Sequence, residues 1–416
     1  MDIRVYPTPL KGTLTAPASK SLSHRYVIGA ALAMGTSHIT NILESDDLHA
    51  TQDALSALGI KIEGPTIHGG TWRAALAPIN CQASGSTLRF MMPIAMRLDE
   101  ATTFTGTGRL PKRPLDVYET LFASRGQYVR HGTDPLPATV LGPLEPGTFN
   151  VSGSVSSQFI TGLLFVLPTL AGPSEIILEG RLESAPYVDM TCQVLNAFGI
   201  TIKKTSTGFK IPGFQVYQPL ETTIEGDYSQ AAFWLVGGTI GQGLKLEGLN
   251  EKSAQGDQAV IPLLKTMGAT ITWHQKNLIV QPAPLKPLVA DLRDTPDLGP
   301  VMMLLAGAVD GLSTFTGLKR LRMKESDRLG VLQTLLKQAG VASNLNNDTL
   351  TITGQGVLKG NQRFKTYDDH RIAMALCVLA ARFDQPFIVE NIEVISKSYP
   401  HFLDDYAALG GRFETL

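Results

Sequence analysis

Several absences narrow what this chain can be. Cysteine occurs three times in 416 residues, at Cys81, Cys192 and Cys377, with no CxxC pair. That spacing offers neither a disulfide framework nor a zinc site, so no metal is expected and a reducing cytoplasm fits. Charge of one sign is missing as well: 36 basic against 37 acidic side chains leave a net of −1. No basic field is present to draw a nucleic acid or an anionic membrane, and neither is expected as a partner. Long apolar runs are lacking too. GLLFVLPTLAGP and VMMLLAGAV are interrupted or too short to span a bilayer, and the opening MDIRVYPTPLKG lacks the apolar centre of a signal peptide. What remains, 43% hydrophobic and 18% charged, is the balance of a folded soluble enzyme. The length predicts two or three domains.

What the chain does have is a period. Six times an amphipathic stretch ends in glycine and is followed by a strand-like run or the chain end: DALSALGIKIEG, YETLFASRGQYV, CQVLNAFGITIKK, IPLLKTMGATITW, LQTLLKQAGVAS and DDYAALGGRFETL. The closing glycines are Gly59, Gly126, Gly199, Gly268, Gly340 and Gly410, spaced 67, 73, 69, 72 and 70 residues apart. Glycine tolerates the left-handed backbone that ends a helix, and the apolar residues before it recur at helical spacing. After it come alternating or β-branched residues, as in Ile60-Lys61-Ile62. Such joints are common singly in α/β proteins, but six at nearly constant spacing predict a repeat of about seventy residues. Six units suggest two lobes of three, and ligand sites favour interfaces of that kind.

Some stretches exceed what the repeats need. APASKSLSHR sets Ser19, Lys20, Ser21 and Arg25 at a helix start, where backbone N–H groups and the helix dipole suit an oxyanion; simple capping explains only one serine. ASGSTLRF adds Gly85, permissive of close backbone approach, and TGTGRLPKRPL stiffens Arg109, Lys112 and Arg113 for carboxylate or phosphate recognition. VSGSVSSQF offers Ser152, Ser154, Ser156, Ser157 and Gln158 before a buried helix, with no His or Asp at triad spacing. Asp297 precedes the apolar GPVMMLLAGA; Asp368, Asp369, His370 and Arg371 head another helix, and Lys397 stands in ISKSYPHF. RLRMKESDR puts Arg320, Arg322, Lys324 and Arg328 before the helix LGVLQTLLKQAG. Cations at a helix N-terminus oppose its dipole, so a bound anion is expected there.

In this order, SKSLSHR, SGSTLRF, GRLPKRPL, GSVSSQF, SAPYVD, GDYSQAAFW, RMKESDR, DDHRIAMA and SKSYPHF resemble the 5-enolpyruvylshikimate-3-phosphate synthase family of enolpyruvyl transferases. The resemblance runs from about Leu10 to about His401. It implies an α/β, two-lobed enolpyruvyl transferase-like fold, an inside-out α/β barrel of six βαβαββ units, three per lobe. Residues 1–18 and 227–416 are expected to form lobe I and 19–226 lobe II, with the active site in the cleft. The implied reaction moves the enolpyruvyl group of phosphoenolpyruvate to the 5-hydroxyl of shikimate 3-phosphate, releases phosphate, and needs no cofactor. Carried over by position, Ser21, Arg25, Ser156, Ser157, Ser184, Tyr187, Asp297 and Lys324 become shikimate 3-phosphate contacts. Lys20, Gly85, Arg113, Gln158, Arg328, Arg371 and Lys397 become phosphoenolpyruvate contacts. Asp297 is the candidate base at the hydroxyl with Lys324 beside it; Glu325 is the candidate acid at the methylene, with Lys20 and His370 assisting. The expected partners are these two small molecules alone, and a monomer is expected.

Two positions depart from the family pattern. Ala83 stands where members often carry Asn or Glu, and Arg320 where some have Asn against the shikimate phosphate. The sister family that uses UDP-N-acetylglucosamine typically has Lys-Asn where this chain has Lys20-Ser21, and a cysteine in the loop that here reads GRLPKRPL. A non-catalytic anion-binding protein on the same fold would be favoured only if the acid–base residues were missing. Glyphosate competes with phosphoenolpyruvate in typical members, and Gly85, where tolerant members often carry alanine, predicts sensitivity.

Overall fold

The structure, a computed structural model, describes residues 1–123, 127–154 and 156–416; Gly126, one of the six periodic glycines, lies outside the described residues. The other five, Gly59, Gly199, Gly268, Gly340 and Gly410, all have φ between +79° and +107°. Each closes a helix in the left-handed region that penalises every side chain but glycine's.

The chain divides into two compact units, Met1–Pro17 with Glu225–Leu416 and Ala18–Ile224. Among the described residues each unit holds three four-stranded sheets, and the same pattern recurs. Thr148–Ser152 runs parallel to Ser174–Glu179, and the hairpin Lys203–Thr205/Gly208–Ile211 then adds antiparallel. Helices Ser157–Val166 and Ala185–Ala197 make the two crossovers, which gives one βαβαββ module. Parallel neighbours require such crossovers, whereas the closing pair needs only a tight turn.

Three of the modules are completed from distant sequence. Gly12–Thr15 pairs parallel with Leu244–Glu247, and Glu221–Thr223 pairs parallel with Gly35–Thr40. In the last module Ile3–Tyr6 supplies the fourth strand, antiparallel to Phe387–Glu390 and to Arg412–Thr415. One unit is thus inserted into the other at Pro17 and Glu225. Its insertion point separates strands that still share a sheet.

Each unit has its own hydrophobic core. In the first, Tyr228–Ile240, Gly299–Gly307 and His370–Val378 pack on one another and are buried almost throughout. A helix buried on all sides is apolar on all sides, so its functional groups are confined to its end. In the second, Gly85–Ala95 packs on Ser157–Val166, which packs on Ala185–Ala197, and that helix packs on Lys20–Leu32. Gly162 makes the first crossing possible: a Cβ there would sit 2.2 Å from the Arg89 carbonyl oxygen. Among the described residues no helix is long and apolar enough to cross a membrane.

Candidate active site

Buried helices present chemistry at their N-termini, and the two units cap those ends differently. Ser19, Ser84 and Ser156 cap Lys20–Leu32, Gly85–Ala95 and Ser157–Val166, accepting from Leu22, Thr87 and Gln158 N–H groups at 3.4, 3.2 and 3.4 Å. In the other unit the corresponding positions are aspartates. Asp227 accepts from Gln230 N–H at 3.0 Å, Asp369 accepts from Arg371 N–H at 3.1 Å, and Asp297 lies in the turn Pro296–Leu298 just before Gly299–Gly307. Neutral caps leave a helix end positive and open to anions; carboxylate caps draw cations.

The cations drawn are those singled out from sequence. Arg328 is 1% exposed. It donates to Asp369 from Nε and Nη2 at 2.7 and 3.2 Å, to Asp297 from Nη1 at 2.8 Å, and to Glu325 from Nη2 at 2.9 Å. Lys324 Nζ donates to Asp297 Oδ1 at 3.2 Å, and Arg371 Nη2 to Asp297 Oδ2 at 3.1 Å. Burial by itself would raise the Asp297 carboxyl, but Arg371, Lys324 and Arg328 together hold it well below the usual carboxylate range. Burial pulls the Lys324 ammonium down to about 8, against the pull of Asp297. His370 is buried at the head of its helix, and Lys397 ends the turn Ile392–Lys397, which packs on that helix.

One expectation is corrected here. The cations of RLRMKESDR were expected to need a bound anion, but carboxylates already meet three of them, Arg322, Lys324 and Arg328. Arg322 is exposed and donates to Asp327 at 3.0 Å, an ordinary solvated pair, and Arg328 is neutralised from within. Arg320 is buried within electrostatic reach of Lys324.

In the inserted unit the site residues fall into two sets. Arg25 donates to Thr191 Oγ1 at 2.9 Å, to the Ser21 carbonyl at 2.7 Å and to the Tyr187 carbonyl at 3.0 Å. Ser184, at φ 54°, turns the chain directly into the helix Ala185–Ala197. In the second set Lys20 Nζ donates to Asp47 Oδ2 at 3.0 Å. Arg89 donates to Gln158 Oε1 at 2.8 Å, and Gln158 Nε2 donates to Ser86 at 2.9 Å. Ser156 lies 3.4 Å from Gln158 Oε1, and Ser157 is buried in the first turn of the same helix. A Cβ on Gly85 would come within 2.7 Å of Arg113 Nη1 and 3.0 Å of Arg89 Nη1. Gly85 therefore makes room for two guanidiniums.

Three residues were missed from sequence. Asp47 reads there as a common acidic first-turn residue, and Arg89 as a mid-helix arginine. Asp257, in the turn Gly256–Ala259 against the Tyr228–Ile240 helix, accepts from the Ser229 hydroxyl. Burial raises its carboxyl to about 6, helped by the charges of Asp297 and Asp227 and opposed by Arg371 and Ser229. A carboxyl whose folded value lies above its unfolded one loses stability as pH rises between the two. Asp257→Asn is therefore expected to gain stability relative to the parent as pH rises from about 4 to 6. Urea titrations at both pH values check this, and a pH-independent difference would rule it out.

The EPSP synthase (3-phosphoshikimate 1-carboxyvinyltransferase) family model matches residues 5–406. A 3-phosphoshikimate 1-carboxyvinyltransferase of Clostridium kluyveri is 41% identical over 99% of this chain and 98% of its own length. One of Clostridium novyi is 39% identical with the same coverage. Among solved structures, an EPSP synthase of Acinetobacter baumannii superposes with a TM-score of 0.83 at 25% identity, covering all of both chains. An enolpyruvyl transferase of Streptomyces tendae, 17% identical, shares the fold at a TM-score of 0.81. The match runs through both units and every stretch that carries the clustered charges: the chain belongs to the EPSP synthase family.

Proposed function

We propose that this protein transfers the enolpyruvyl group of phosphoenolpyruvate to the 5-hydroxyl of shikimate 3-phosphate, a step of aromatic amino acid biosynthesis, as a cytoplasmic monomer. The observation that carries the reading is the grouping of Lys324, Arg328 and Arg371 on one ionised carboxylate, Asp297. Each phosphate monoester brings up to about two negative charges, and each substrate adds a carboxylate, so cations must accompany both into a site that sheds water. Shikimate 3-phosphate is assigned to Ser21, Arg25, Ser156, Ser157, Ser184, Tyr187, Asp297 and Lys324. Phosphoenolpyruvate is assigned to Lys20, Gly85, Arg113, Gln158, Arg328, Arg371 and Lys397.

Asp297 takes the proton of the 5-hydroxyl as its oxygen attacks C2 of phosphoenolpyruvate. Glu325 delivers a proton to the methylene carbon, with Lys20 and His370 assisting, and a tetrahedral adduct results. Loss of a proton from the new methyl group then restores the double bond as phosphate leaves. Arg328 ties Asp297 and Glu325 to one guanidinium, so the two groups titrate as a set.

The test is phosphate release from phosphoenolpyruvate with shikimate 3-phosphate as acceptor, against UDP-N-acetylglucosamine. Turnover with the sugar nucleotide alone would replace this reading with the sister activity. A second measurement concerns Gly85→Ala. Its methyl group meets Arg113 and Arg89 first, so the Michaelis constant for phosphoenolpyruvate is expected to rise. The inhibition constant of glyphosate, the longer ligand, is expected to rise further. Equal losses would show that this position does not discriminate by size.

A further inference from the structure

Behind Lys20 and Gly85 lies a line of buried polar groups to which the reaction assigns no task. His24 Nδ1 is 2.8 Å from Thr51 Oγ1, Thr51 Oγ1 is 2.7 Å from Thr87 Oγ1, and Thr87 Oγ1 is 2.7 Å from Ser84 Oγ. His24, Thr51, Thr87 and Ser84 are each at most 1% exposed. Thr51 and Thr87 also point at the Asp47 carbonyl oxygen, at 3.4 and 3.2 Å. The line therefore joins three helices, Lys20–Leu32, Asp46–Ala57 and Gly85–Ala95. It ends at the Asp47 that holds Lys20 and at the Ser84 that caps the helix beginning with Gly85.

Proton bookkeeping gives the line a direction. His24 Nε2 is buried with no hydrogen-bond partner among the described residues. A bare ring nitrogen is the cheaper group to leave unsatisfied, since buried orphan N–H groups are rarer than under-satisfied acceptors. The proton then sits on Nδ1, and His24 donates to Thr51, Thr51 to Thr87, and Thr87 to Ser84. Burial, with Lys20 and Arg25 adding to it against Asp47, pulls the imidazole down to about 3, so the ring carries no second proton at working pH. With the first donor fixed, Thr51 passes its one proton to Thr87 or the Asp47 carbonyl and Thr87 passes its own to Ser84 or that same carbonyl, so each choice holds Asp47 or Ser84 in place.

We infer that His24 is a positioning residue for the phosphoenolpyruvate side of the reaction, setting through Thr51 and Thr87 the placement of Lys20 and of the helix start at Gly85. The inference rests on the proposed assignment of Lys20 and Gly85 to phosphoenolpyruvate. Loss of the donor frees Thr51 and Thr87 to rotate, which loosens Asp47 and Ser84 together. Arg25 is anchored separately, on Thr191, Ser21 and Tyr187, so shikimate 3-phosphate is spared.

The experiment compares His24→Leu, His24→Asn, Thr51→Val and the His24→Leu/Thr51→Val double variant in the phosphate-release assay. His24→Leu and Thr51→Val are each expected to raise the Michaelis constant for phosphoenolpyruvate about tenfold and to leave that for shikimate 3-phosphate within about twofold. His24→Asn keeps an N–H at the same depth and is expected to restore the parent value. The double variant is expected to be no worse than either single one, because both cut one line. Additive losses, equal shifts for both substrates, or no shift in Thr51→Val would overturn the assignment; that last variant decides the matter if His24→Leu does not fold. Absence of turnover in the unaltered protein would instead overturn the substrate reading, and this assignment with it.

Discussion

Asp297→Asn and Glu325→Gln are each expected to lower turnover by about two to four orders of magnitude, the usual worth of a positioned proton-transfer group, with much smaller effects on Michaelis constants. Both substitutions keep size and remove the proton-transfer oxygen. In the structure Asp297 accepts from three cations, Lys324, Arg328 and Arg371. So held, it is ionised at any working pH but is a weak base. Arriving substrate anions change that balance. A phosphate or carboxylate that engages Arg371 or Lys324 draws positive charge away from Asp297 and makes it more basic once the hydroxyl is in place. The same competition favours an ionised Lys324, whose pull down to about 8 comes first from burial and is offset when a second anion arrives. Turnover under saturating substrates is the deciding measurement. Near-normal turnover in either variant removes that residue from the mechanism.

How much of this was legible beforehand follows from what a linear pattern carries. Helix ends are local, so Gly59, Gly199, Gly268, Gly340 and Gly410 were readable as stops, and they have the positive φ that such stops need. The helix starts with their serines, aspartates and cations were readable for the same reason. Convergence was not. Asp297 and Asp369 lie 31 and 41 residues from Arg328 along the chain yet bind one guanidinium, and nothing at either position marks the other. Asp47 looks like any first-turn carboxylate until its oxygen is found on Lys20, 27 residues away. Arg89 is hidden differently. It stands beyond the polar first turn of a helix whose remaining residues are apolar and buried, and the close crossing at Gly162 brings it against Gln158. The order of strands was equally out of reach, because Ile3–Tyr6 and Gly12–Thr15 each join a sheet completed from the far side of the inserted unit or from the chain's end.

Arg328→Met is expected to be the most damaging single change in the larger unit. Arg328 is 1% exposed and satisfies Asp369, which is fully buried, as well as Asp297 and Glu325. Removing one partner of a buried ion pair costs about 3–5 kcal/mol, because the remaining charge stays in a medium that solvates it poorly. Asp369 also caps the His370–Val378 helix and accepts from Ser326 at 3.0 Å, so the strain reaches Arg371 and His370 directly. Arg328→Lys keeps the charge but not the planar fork that meets three carboxylates at once, and is expected to recover only part of the loss. The pH dependence has a definite sign. Asp297 is held low in the folded protein, so its contribution is present above the unfolded value of about 3.9 and is lost as pH falls further. Without Arg328 the hold on Asp297 weakens, and protonation relieves the buried charge. The deficit of Arg328→Met should therefore be largest near neutral pH and shrink toward pH 4. Urea unfolding followed by the fluorescence of Trp234, buried in the same unit's core, measures it. A deficit below about 1 kcal/mol at neutral pH, well short of the buried-pair range, would show that the three carboxylates find other partners without this guanidinium.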